Sequence, residues 1–151
     1  MRKFIATLIC TAILPACAPG PESASGFRLP DGDADRGLQA FTDLQCQACH
    51  SIEGLDLPNS GTGPANVRLG GTTTRVRTYG QLVTSIINPS HKLAPGYRPE
   101  EVTTDSGESL MTLAHLNGIM TVQQLIDLVA FLQSRYDVVP PETYPYQYVY
   151  R

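Results

Sequence analysis

Residues 44–51 read LQCQACHS, two cysteines three positions apart with His50 directly behind the second. Such a pair serves as a redox dithiol, as half of a zinc site or as the attachment point of a haem. Each use makes a different demand on the rest of the chain. A redox dithiol wants a strand beside it in a βαβ pattern. Structural zinc wants further Cys or His ligands at paired spacing. Haem attachment wants only two thiols and an adjacent imidazole that can reach the iron.

The flanking sequence reads as helix and loop. Ahead of the motif, DGDADRGLQAFTDLQ offers Asp N-caps followed by Leu38, Phe41 and Leu44 at helical spacing. A second helix is expected in TYGQLVTSIINP, where Thr78 and Gln81 form a capping-box pattern, Leu82, Val83, Ile86 and Ile87 share a face, and Pro89 ends the run. The third and clearest is MTVQQLIDLVAFLQSRY, with Thr121 and Gln124 as a second box and Leu125, Leu128, Val129 and Leu132 as its apolar stripe. Between them lie loops rich in Gly, Pro and Thr. No stretch ahead of the C-terminal tail alternates as a core strand would, so the fold class expected is all-α, three or more helices with long loops. With no parallel strand near the motif, the dithiol reading lacks its context. His50, His91 and His115 form no second paired ligand motif for zinc. Three helices and loops also make a meagre core, because each ordered residue loses roughly 1.5 kcal/mol of conformational entropy, and a large apolar group in the middle would supply what the side chains do not.

The ends of the chain set the compartment. Arg2 and Lys3 precede an apolar run and then small residues, the layout of a signal peptide over residues 1–16. LPAC, ending at Cys17, resembles a bacterial lipobox, although Pro15 is unusual there; Cys17 would then carry the lipid, with Ala18 after it. Residues 17–30, dense in Pro, Gly, Ser and Ala, read as a tether. Of the 4 cysteines, Cys10 falls in the discarded segment and Cys17 is acylated, which leaves Cys46 and Cys49 in the folded domain. Removing Arg2 and Lys3 leaves nine basic residues against 14 acidic ones, near −5. That balance argues against nucleic acid as a partner. A chain of 151 residues with 7% aromatic content allows one modest domain, expected over 31–137, ahead of a Tyr/Pro-rich tail over 138–151. In that tail Tyr144, Tyr146, Tyr148 and Tyr150 alternate, and an extended segment would show them on one side. Docking onto a partner and wrapping back over the domain are equally compatible with it.

These residues together resemble the class I mono-haem cytochromes c. GDADRGLQAF…CQACHSI is similar to the first helix and haem motif of that family, TGP at 62–64 to the loop that follows it, and MTVQQLIDLVAFLQS to its C-terminal helix. The resemblance implies one covalent haem c on Cys46 and Cys49, with His50 as proximal iron ligand and the Pro64 carbonyl accepting the hydrogen bond from its other ring nitrogen. It implies a crossing in which Gly37 and Phe41 approach Leu128 and Phe131. For the sixth ligand, Met111, Met120, His91 and His115 all lie downstream. Met120 precedes the Thr121 N-cap and lies five residues before Leu125, as in a hydrophobic staple. Met111 stands where the family carries its ligand, though followed by Thr112 instead of the usual proline and with a longer spacer. Arg68, Arg75, Arg77 and Tyr79 are candidate propionate partners, or a solvated basic loop. The expected function is a lipid-anchored electron carrier on the periplasmic side of a bacterial membrane, exchanging electrons with redox partner proteins and not itself an enzyme. A fixed haem subunit of a larger oxidoreductase, and a haem sensor or enzyme with a displaceable sixth ligand, are the alternatives.

Overall fold

A computed structural model describes residues 27–74, 78–112, 116 and 118–139. The signal-peptide and lipidation expectations, most of the tether, Arg75, Arg77, His115 and the alternating tyrosines lie outside the described residues.

Helix α1 (Ala34–Asp43) starts where Asp33 accepts the Arg36 N–H, the cap expected from its type. Its inward face is Gly37, Ala40 and Phe41. Helix α2 (Tyr79–Ile87) opens on the Thr78/Gln81 capping box, with both reciprocal bonds formed at 3.3 and 3.1 Å. It buries Leu82, Val83 and Ile86 but leaves Ile87 43% exposed, so the expected face is one residue narrower. A short α3 (Pro99–Val102) follows, with proline at the first helical position, where no N–H is needed. Helix α4 (Val122–Ser134) opens on the Thr121/Gln124 box. Its buried face is wider than the expected stripe, adding Ile126, Asp127 and Phe131 to Leu128, Val129 and Leu132.

The frame of the molecule is the packing of α1 on α4. A Cβ on Gly37 would collide with the Asp127 carbonyl and the Phe131 Cβ, so only glycine lets the two backbones come this close. One turn on, the Phe41 and Phe131 rings meet with centroids 5.7 Å apart, tilted by 59°, a favourable aromatic geometry. Asp127, 2% exposed, spans the same crossing. Its carboxylate accepts from Arg36 Nε (2.9 Å), from the Asp33 N–H (2.8 Å) and from Gln123 Nε2 (3.0 Å). One buried charge thus ties the N-terminus of α1 to the middle of α4.

The described residues also contain strands that the sequence reading did not anticipate. β1 (His50–Ile52) pairs in parallel with β2 (Val67–Leu69), and β3 (Gly71–Thr73) with β4 (Tyr136–Val138). Three-residue strands are too short to show an alternating pattern, and each pairs with a segment distant in sequence. Gly70 and Gly71, at φ of +80° and +83°, turn the chain between β2 and β3. The fold is therefore helical and loop-rich, with two small ladders. The packed region is also slightly longer than 31–137. Leu29 packs on the core and donates its N–H to Tyr79 Oη at 3.1 Å, while β4 runs through Val138 and the Val139 N–H reaches the Thr73 carbonyl at 2.9 Å.

Candidate functional site

Leaving α1, the chain passes through Gln45 in a left-handed conformation (φ 58°) into a 3-10 turn, Cys46–Ala48, that presents both cysteines. The loop that follows is fastened back along this turn bond by bond. Gly61 N–H donates to the Gln47 carbonyl (3.1 Å), Gly63 N–H to Ala48 (2.7 Å) and Val67 N–H to Cys49 (2.9 Å). Gly63 comes so close that a Cβ there would overlap the Cys49 sulfur. The TGP stretch is thus one side of a backbone clasp around the two thiols.

Cys46 and Cys49 are free and half-buried. Burial pushes the Cys46 thiol up to about 11, with Cys49 adding in the same direction. A redox dithiol needs the opposite, a depressed pKa that supplies thiolate. Among the described residues no three His, Cys, Asp or Glu side chains gather as a metal site would require. Attachment to a cofactor is the use this geometry suits.

His50 begins β1, and its Nδ1 lies 3.2 Å from the Val67 carbonyl. A carbonyl only accepts, so Nδ1 carries the proton and Nε2 keeps its lone pair for a metal. Burial lowers the pKa of this ring, which favours the neutral, ligating form. The acceptor expected at Pro64 is thereby corrected to Val67. The register of β1 on β2 sets Val67 opposite His50, whereas Pro64 is exposed. Nothing in the sequence singled out Val67, because a backbone acceptor has no residue signature.

Of the candidate sixth ligands, Met111 and Met120 behave differently. Met120 is partly buried against the hydrophobic core, as is Leu125, in keeping with a staple at the start of α4. Met111 is half-buried outside that cluster. It follows a bonded loop in which Leu110 N–H reaches the Val102 carbonyl (2.8 Å) and Thr103 bridges Ser109. Ser109 Oγ accepts the Met111 N–H at 3.2 Å, and Ser90 Oγ accepts the Ser109 N–H at 3.1 Å. His91 is exposed at the end of a 3-10 turn, Pro89–His91. Arg68 is also exposed and pairs with Glu53 at 3.0 Å, while Tyr79 Oη is taken by Leu29. Asp127 was missed, although a charge set between Ile126 and Leu128 in an apolar helix signals a buried partner.

Residues 34–135 match the family model described as Cytochrome c. No curated protein and no solved structure matches the chain.

Proposed function

The chain belongs to the cytochrome c family and carries a covalently bound haem c, and on that premise we propose that it is a membrane-anchored carrier of single electrons, His/Met-ligated, working on the periplasmic side of a bacterial membrane. The bound haem supplies a one-electron iron couple. Cys46 and Cys49 hold it through thioethers. His50, its Nδ1–H committed to Val67, offers Nε2 from one side. Met111 would offer its thioether as the second ligand, and Pro64 follows Gly63 in the clasp. Were His50 and Met111 both to ligate, these residues would hold the group and keep water and substrate from it, leaving one-electron exchange as the chemistry it would supply.

The observation that carries the His/Met reading is the division of labour between the methionines: Met120 serves the core and Met111 does not. A thioether is a soft, neutral donor that favours ferrous iron, so Met111→Ala abolishes the Met–iron absorption band, lowers the reduction potential and opens the iron to imidazole. Met120→Leu keeps apolar volume and leaves band and potential nearly unchanged. The reverse pattern transfers the ligand to Met120. A band unaffected by both variants overturns methionine ligation and points to His115.

The anchor rests on the signal-peptide layout and on LPAC before Cys17; no helix among the described residues is long and apolar enough to cross a membrane. A Cys17→Ser chain is expected in the soluble extracytoplasmic fraction. Identical fractionation of the unaltered chain removes the anchor from the reading.

A further inference from the structure

Strand β2 turns successive backbone groups to opposite edges. The Val67 N–H reaches the Cys49 carbonyl at 2.9 Å and the Leu69 carbonyl accepts the Glu53 N–H at 3.0 Å, so both residues face β1. Arg68, between them, faces the other way. The sheet has two strands, and that outer edge meets no third. The Arg68 N–H nevertheless has a partner there: it donates to Tyr97 Oη at 2.8 Å. Tyr97 lies 29 positions further along the chain, half-buried in the loop ahead of α3.

The peptide unit that carries this N–H also carries the Val67 carbonyl, and that carbonyl is the partner of His50 Nδ1 at 3.2 Å. The unit is planar and conjugated, with its N–H and C=O pointing in opposite directions. An acceptor on the nitrogen end therefore enriches the oxygen end. Bonds joined in such a chain strengthen one another by about 10–30% each. The order is continuous: His50 Nδ1–H donates to the Val67 oxygen, and the Arg68 N–H of the same unit donates to Tyr97. A stronger bond at Nδ1 makes the ring a more basic ligand through Nε2, and a more basic nitrogen donor favours ferric iron. The Arg68 side chain stands apart from this line, exposed and paired with Glu53 at 3.0 Å.

We propose that Tyr97 is a positioning residue of the haem site, acting on the iron through the Val67–Arg68 peptide and His50. It rests on the reading of His50 as iron ligand. The phenol oxygen holds the peptide in line with the imidazole and lowers the reduction potential by enriching the carbonyl that the imidazole meets. A role in packing would need the ring of Tyr97 and not its oxygen.

Tyr97→Phe in the haem-loaded protein makes that separation, since it keeps the ring and removes the acceptor. In the proton NMR spectrum of ferrous protein carrying isotope-labelled histidine, the His50 Nδ1–H resonance should move to higher field and exchange faster with solvent. The balance of ferric and ferrous protein should shift about twofold toward ferrous, roughly 18 mV at 59 mV per tenfold. Tyr79→Phe is the comparison, because it too removes a phenol that accepts a backbone N–H, from Leu29 at 3.1 Å, away from the His50 ladder. There the Nδ1–H resonance should stay in place. If no histidine ring shows the ring-current shift of a haem ligand, the reading of His50 fails and the proposal with it. If His50 shows that shift, an unmoved resonance or potential in Tyr97→Phe overturns the proposal alone, whatever the denaturation midpoint does. An equal displacement of the resonance in Tyr79→Phe overturns it as well.

Discussion

The segment that carries His50 and the loop that carries Met111, the proposed ligands, are built in different ways. The side of His50 is a clasp of backbone on backbone: a parallel ladder, three cross-loop carbonyl bonds and a glycine pressed on the Cys49 sulfur. The loop before Met111 is closed by backbone bonds, Leu110 to Val102 and Thr104 to Glu108 among them, but its last step to Met111 rests on hydroxyls, with Ser90 holding Ser109 and Ser109 holding the Met111 N–H. Backbone ladders are cooperative and tolerate little displacement. Single hydroxyl bonds, each worth only about 0.5–1.5 kcal/mol net, leave a segment free to shift. The pair teaches that one small fold can set one segment firmly, by backbone pairing, and leave the last step of another to weaker hydroxyl bonds.

The α1–α4 crossing is the frame of the molecule, so the largest effect comes from removing its charge. Asp127→Ala leaves the Asp33 N–H and the Gln123 amide without their acceptor in a buried place, and thermal denaturation should show the lowest midpoint of the variants considered. Asp127→Asn isolates the charge. The Arg36 hydrogen bond, with the Asp33 N–H behind it, holds the Asp127 carboxyl down to about 2, against an ordinary 3.8. The folded value lies below the unfolded one, so its stabilisation is fully present above pH 3.8 and is lost as pH falls through 2. The stability gap between the unaltered protein and Asp127→Asn should be constant near neutrality, narrow below pH 3.8 and close near pH 2. A gap independent of pH would refute a role for the charge.

The clasp is expected to break at Gly63. In Gly63→Ala the new methyl meets the Cys49 sulfur and comes within 2.9 Å of the Ala48 carbonyl, so the loop must move and the 2.7 Å bond from Gly63 N–H to Ala48 weakens. Overpacking of this kind costs about 1–3 kcal/mol, to be read from urea denaturation, and the fraction of chains with both thioethers formed should fall. Stability and haem loading equal to the unaltered protein would mean that the clasp yields easily, and the contrast between the two sides would fail.

What the sequence disclosed follows the same division. The motif, the caps at Asp33, Thr78 and Thr121, and the helical stripes were legible because each is a local pattern of side-chain types. The Val67 acceptor, the two ladders and the bonds from Gly61 and Gly63 were not, because they join backbone groups that look alike at every residue. Arg36 and Asp127 lie 91 positions apart, and only the crossing of α1 and α4 makes them partners. Met111 was singled out by its place ahead of α4, and the serines that hold its loop carried no sign of doing so.

The smallest effect, and the one that bears most closely on the distal side, is expected from Ser109→Ala. The substitution removes the acceptor of the Met111 N–H but keeps the bond from the Ser109 backbone to Ser90. The lost hydrogen bond corresponds to about 0.5–1.5 kcal/mol, less where water replaces the hydroxyl, so the denaturation midpoint barely moves. Mobility of the loop is the sensitive quantity. With Met111 as ligand, its dissociation limits the entry of added imidazole, and loss of one bond of that size should speed entry roughly two- to tenfold, while the Met–iron band of the resting protein persists. The equivalent loss on the other side, a weakened Gly63 bond, should leave that rate alone. Imidazole entry unchanged in Ser109→Ala, or accelerated equally in Gly63→Ala, would show that the two sides are not mechanically separate.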